Sequence, residues 1–166
     1  QQVSSAASDV YKRQELDKIN EGERYLRKAL NINPDSPMAL NNLGNILSKK
    51  RNYSESEFCY RKAIEKKSDF SLAYNNLGSL LSRQGKLSEA EEFTEKAIVY
   101  NPKFELAYVN LGTIKIDLDK SSEAEELFLS AIEINKNYNY AYSNLFRLYE
   151  KTNNLNKLKT KIESLK

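Results

Sequence analysis

Residues 73–98 read AYNNLGSLLSRQGKLSEAEEFTEKAI, and two apolar patterns of helical spacing lie on either side of the short turn RQGKLS. Tyr74, Leu77 and Leu81 fall on one helical face, and Ala90, Ala97 and Ile98 fall on a second. Gly85 stands where the first helix has to stop, and Ser88 with Glu91 makes a capping box for the next. Asn101-Pro102 closes the second helix, because proline pushes the residue before it out of the helical region. The stretch predicts a helix–turn–helix.

Laid against itself, the chain repeats this unit at a period of 34 residues. Residues 39–64, 73–98 and 107–132 align without gaps, and 141–166 follows at the same spacing but drifts in its second half. A partial copy, INEGERYLRKALNINP, precedes them at 19–34. Repetition at this period means stacked supersecondary units, none of which buries its apolar face alone. The first helix of each pair is expected near 37–50, 71–84, 105–118 and 139–152. The second is expected near 54–67, 88–101, 122–135 and 155–165.

Small residues recur where the two helices of a unit should cross: Gly44, Gly78 and Gly112 on the first helix, and Ser56, Ala90 and Ala124 on the second. Glycine inside a helix costs about 1 kcal/mol relative to alanine, so its recurrence points to close packing of the helix axes. Together with Tyr60, Ala63, Ala97, Pro102, Phe128 and Ala131, these positions closely resemble the signature of the tetratricopeptide repeat family. The resemblance runs from about Leu16 to the C-terminus. It implies an all-α fold, a right-handed α-solenoid of about four and a half repeats whose first helices line a concave face. The expected organisation is a partial repeat at 15–36, then repeats at 37–70, 71–104, 105–138 and 139–166.

The pattern breaks at both ends. Carried back by one period, a first helix should occupy 3–15, but Ala6, Asp9 and Arg13 stand at its anchor positions. Residues 1–14 are expected to be a non-native or disordered tail. VSSAASDVYKRQ resembles a translated sequencing-adapter tail, and the alternative is a native disordered arm. At the other end Phe146 replaces the glycine, Leu158 the small residue opposite it, and Leu165 a further alanine. Such changes exclude a close crossing there. Leu155, Leu158, Ile162 and Leu165 form one apolar stripe, suited to a terminal cap or to a joint with a following domain.

In this register Asn42, Asn76, Asn110 and Asn144 each stand one residue before the packing leucine. Helical periodicity turns them toward the concave groove. A primary amide offers both donors and an acceptor, so a column of them can pair with the backbone of an extended peptide. The column resembles the asparagine ladder of O-linked N-acetylglucosamine transferase repeat domains, which implies that it holds a peptide for a catalytic domain. Further groove candidates are Asn45, Ser79, Thr113 and Arg147, then Lys49, Arg83, Asp117 and Lys151 near the helix ends. Repeat domains that clamp chaperone carboxylates carry basic residues early in the first helix. Here Met38, Leu72, Leu106 and Tyr140 occupy those places, with Asn41 and Asn42 nearby, so that role is disfavoured.

Composition narrows the function classes. Lys and Arg number 26 against 23 Asp and Glu, a formal +3 that gives no bulk attraction to nucleic acid. The lone Cys59 and the absence of histidine leave no disulfide framework, no Cys/His metal site and no histidine base. No apolar run is long enough to cross a bilayer, so no membrane partner is expected and a cytoplasmic location is the default reading. Gly78 through Lys86 departs from a phosphate loop, having six residues between the glycines and Leu87 where Ser or Thr is needed. Glu91-Glu92 and Glu125-Glu126 read as a charged solvent face, and Tyr74, Tyr108 and Tyr142 as core. No catalytic constellation and no cofactor site emerge.

The sequence therefore predicts a noncatalytic module for protein–protein interaction that holds a peptide or protein segment in its groove. It reads as the recognition arm of a larger transferase-like polypeptide, with a stand-alone scaffold as the alternative. It does not fix the oligomeric state.

Overall fold

The computed structural model describes residues 2–154 and Thr160, with side chains from Gln14 onward. The described residues hold helices and no strand, and the chain divides into two compact units, residues 1–68 and 69–166.

The first unit contains α1 (Gln2–Ile32), α2 (Pro37–Lys49) and α3 (Tyr53–Lys66), with α2 packed against both neighbours. Ser36 caps α2 by accepting a hydrogen bond from the Ala39 N–H at 3.3 Å, and Pro37 occupies the first turn, where its missing N–H costs nothing. Leu43, Leu47 and Cys59 form the buried centre, joined by Leu26 and Leu30 from α1. Ion pairs reinforce it at the rim: Lys50 to Glu23 at 2.6 Å and Arg27 to Glu55 at 2.8 Å. Where the sequence pattern places a tail, the backbone of residues 2–14 is helical and continuous with the rest of α1.

The second unit contains α4 (Ser71–Arg83), α5 (Leu87–Tyr100), α6 (Glu105–Asp117), α7 (Ser121–Ile134) and α8 (Asn139–Lys151). Consecutive helices pack together, and α6 also touches α4 and α8, so these three first helices form one layer and α5 with α7 the other. The core between them includes Val109, Phe128, Ile132, Leu145 and Leu148.

The expected close crossings are present in both units. A Cβ built on Gly44 would lie 2.6 Å from the Tyr60 ring, and one on Gly112 would lie 2.5 Å from Phe128. Ser56 donates to the Gly44 carbonyl at 2.7 Å across the same crossing. Phe146, at the corresponding place in α8, is instead 46% exposed, as its bulk requires. Leu155, Leu158, Ile162 and Leu165, and the helix expected over 155–165, lie outside the described residues.

One local expectation fails. Helix α5 starts at Leu87 with Lys86 at its N-cap, so Ser88 lies inside the first turn and the capping box with Glu91 does not form. Glu91 is drawn instead into ion pairs with Lys115 and Lys120.

Candidate groove in the first-helix layer

The asparagine column does not behave uniformly. Asn42 is exposed, Asn76 and Asn110 are half-buried, and Asn144 is only 8% exposed. In the second unit Asn110 Nδ2 donates to Asn75 Oδ1 at 2.8 Å, so this amide ties α6 to α4. Asn75 is 1% exposed and needs that partner. For Asn144, the residue in the place that Asn75 fills for Asn110 is Val109, which has no side-chain acceptor. Asn144 turns back and donates to the Tyr140 carbonyl of its own helix at 2.8 Å. The amides expected to face a ligand are thus partly committed within the fold. Asn110 and Asn144 each keep one amide hydrogen and a carbonyl oxygen beyond these bonds.

The residues around Asn144 converge. A recess of about 390 Å³ opens between α6 and α8, lined by Thr113, Ile116, Asp117, Asn144, Arg147, Leu148, Glu150 and Lys151. Five of the groove candidates named from the sequence therefore share one cavity: Thr113, Asp117, Asn144, Arg147 and Lys151. Its volume lies within the roughly 300–1,000 Å³ common for ligand sites, and its walls carry both signs of charge. Thr113 spends its hydroxyl on the Val109 carbonyl at 3.0 Å. Arg83 is exposed at the end of α4. Lys49 is exposed at the end of α2 in the first unit, where Asn45 accepts a hydrogen bond from the Tyr60 hydroxyl at 2.7 Å.

Two features are not apparent from the repeat pattern. One is the buried first asparagine of NNLG, Asn41 and Asn75. The other is Lys115, which the period aligns with Leu47 and Leu81 and which is only 7% exposed. Its ammonium pairs with Glu91 of α5 and with Glu123 of α7, the latter at 2.6 Å. Hydrogen bonding to Lys115 holds the Glu91 carboxyl below the usual range. Glu91 is therefore part of a half-buried ionic cluster rather than a solvated face. The signal lies in residues 47, 81, 115 and 149 taken as one column, which puts a lysine and a tyrosine in the core.

Burial raises the Cys59 thiol to about 11, so it stays protonated at neutral pH and is not a nucleophile. Among the described residues no helix is long and apolar enough to cross a membrane.

Models described as tetratricopeptide repeat match residues 37–70, 71–104 and 106–138. A search of curated protein sequences finds no match. Among solved structures, Pseudomonas aeruginosa pilF is 23% identical with a TM-score of 0.79, covering 89% of this chain and 67% of its own. MamA is 19% identical with a TM-score of 0.75, covering 93% and 90%. YrrB, described as a TPR protein with an unusual peptide-binding site, is 22% identical with a TM-score of 0.69, covering 84% and 72%. At these identities the likeness is one of fold.

Proposed function

The chain belongs to the tetratricopeptide repeat family, a family of protein-interaction repeats rather than of enzymes, and from that premise we propose that it holds an extended segment of a partner protein against the layer of first helices. The carrying observation is the recess between α6 and α8, where Asn144 and Ile116 offer amide and apolar surface beside Thr113, Asp117, Arg147 and Lys151. Mixed polarity in a cavity of this size suits a peptide, whereas a phosphate backbone calls for cations alone. A peptide-binding site in the YrrB repeat structure, of like fold, agrees with this reading.

The wider context proposed is the recognition arm of a larger transferase-like polypeptide, with a stand-alone scaffold as the alternative. The asparagine column supports the arm, but Asn110 and Asn144 already spend part of their amides inside the fold. Affinity in this groove then depends more on the recess than on the column. Peptides selected from a random library on the intact chain provide the test. The paired change Arg147→Ala and Lys151→Ala should weaken them about tenfold with unchanged helicity, and equal affinity would overturn the proposal.

A further inference from the structure

We propose that α4, α6 and α8 present an alternating row of charges, Arg83, Asp117 and Lys151, that selects a partner segment carrying acid, base and acid at every third residue. The inference rests on the groove reading above and specifies what that groove selects.

The three side chains occupy the same place in successive repeats, each the last residue of its helix, and all three are exposed. Among the described residues none of them has an ion pair or hydrogen bond, although opposite charges stand on adjacent helices. Elsewhere in the same unit charges do pair: Lys96 with Glu92 at 2.6 Å, and Lys120 with Glu91 at 3.2 Å.

The helix dipole accounts for the two cations, because a C-terminus favours positive charge. It does not account for Asp117, a carboxylate at the C-terminal residue of α6, where the dipole disfavours it. Asp117 lines the recess beside Arg147 and Lys151 and forms an ion pair with neither, which leaves its charge available to a partner from outside. Arg147, one turn before Lys151, strengthens the third position; Glu150 borders the same recess, leaving α8 with a net positive contribution there.

Spacing defines the complementary pattern. Packed helices lie about 8–10 Å apart, and α6 touches both α4 and α8. A polyproline II chain returns to the same face every third residue, a rise of about 9 Å. One charge per repeat therefore meets one charge per three ligand residues. An extended strand fits less well, since its residues i and i+3 point to opposite sides.

The test uses fluorescein-labelled peptides with blocked ends and the intact chain, read by anisotropy at low salt. The probes are Glu-Pro-Pro-Lys-Pro-Pro-Glu, its charge inverse Lys-Pro-Pro-Glu-Pro-Pro-Lys, the neutral Gln-Pro-Pro-Gln-Pro-Pro-Gln, and Glu-Pro-Pro-Glu-Pro-Pro-Glu. The first should bind about fivefold more tightly than its inverse and the neutral probe. Asp117→Lys, a change at an exposed site, should abolish that preference and favour the all-acid peptide. If the neutral probe binds as well as the first, or Asp117→Lys changes nothing, the charge row is overturned and the groove reading stands. Absence of binding by every probe at millimolar concentration overturns the charge row, and the groove reading falls with it when the random library also yields no binder.

Discussion

Asn110 on α6 donates to Asn75 on α4 across 2.8 Å, so the asparagine of VNLG holds the first asparagine of NNLG in the preceding repeat. The bond joins two first helices along the groove layer. It gives the second asparagine of the motif a structural task that exists whether or not a ligand is bound. Asn144, for which Val109 stands at the place Asn75 has for Asn110, shows what the same residue does when that task is missing: it bonds to its own helix.

Removing Asn110 should therefore cost more than removing Asn144. Asn110→Ala strands the buried Asn75 oxygen, an expected loss of about 1–3 kcal/mol. Asn144→Ala removes one bond to its own helix and places a better helix former there, so a change within about 0.5 kcal/mol is expected. Urea unfolding of the two variants decides this, and equal losses would mean that the inter-repeat bond contributes nothing.

The helices and their crossings are legible in the sequence because each depends on one residue type at one spacing. Gly44 and Gly112 sit at close helix crossings as the small-residue pattern requires, against the rings of Tyr60 and Phe128, and the observed ends of α2 to α8 lie within a residue or so of the expected ones. The candidate site is only half legible. Thr113, Asp117, Asn144, Arg147 and Lys151 can be named from the repeat register, but nothing in that register shows that Asn110 is spent. Its partner depends on whether the residue 35 positions earlier is Asn75 or, as for Asn144, Val109. Lys115 is hidden for a related reason. A lysine in a core column is tolerable only where neighbouring helices supply carboxylates, and Glu91 and Glu123 become its neighbours only on folding.

Gly112→Ala should destabilise by about 1–3 kcal/mol, because its Cβ would sit 2.5 Å from the Phe128 ring and the helices cannot separate without opening the core. Combining it with Phe128→Leu should recover part of that loss in a double-mutant cycle. Additive costs would place the strain elsewhere.

Turn geometry offers a stabilising change. Arg51, Gly85 and Asp119 stand one period apart and all have positive φ, with Arg51 at 60°. Arginine has neither the freedom of glycine nor the short polar side chain that eases this conformation for Asp. Arg51→Gly should raise stability by about 0.5–1 kcal/mol, net of the greater unfolded-state entropy. Asp119→Gly should gain less, and Gly85→Ala should lose about 1 kcal/mol. Thermal melts of the three variants give the order directly.

The ionic cluster at Lys115 makes a pH-dependent contribution whose sign can be worked out. Hydrogen bonding to Lys115 lowers the folded pKa of Glu91 below its unfolded 4.5, so this stabilisation is present above about 4.5 and fades as pH falls through the folded value. For Lys115, burial pushes the pKa down, but bonds to Glu123 and Glu91 carry it above 10.5. That contribution is present below about 10.5 and lost as pH rises through the folded value. Lys115→Met should flatten the acid limb of a stability–pH curve measured by urea unfolding. At neutral pH it should be neutral or stabilising by about 1–4 kcal/mol, since an apolar side chain in this column escapes the desolvation of a buried charge, as Leu47 and Leu81 already do. Glu91→Gln should instead destabilise by about 1–3 kcal/mol, because it leaves the buried ammonium with Glu123 at 2.6 Å and a long contact to Glu95 at 3.9 Å. If Lys115→Met proved as damaging as Glu91→Gln, the cluster would be a net source of stability rather than a tolerated charge in a core position.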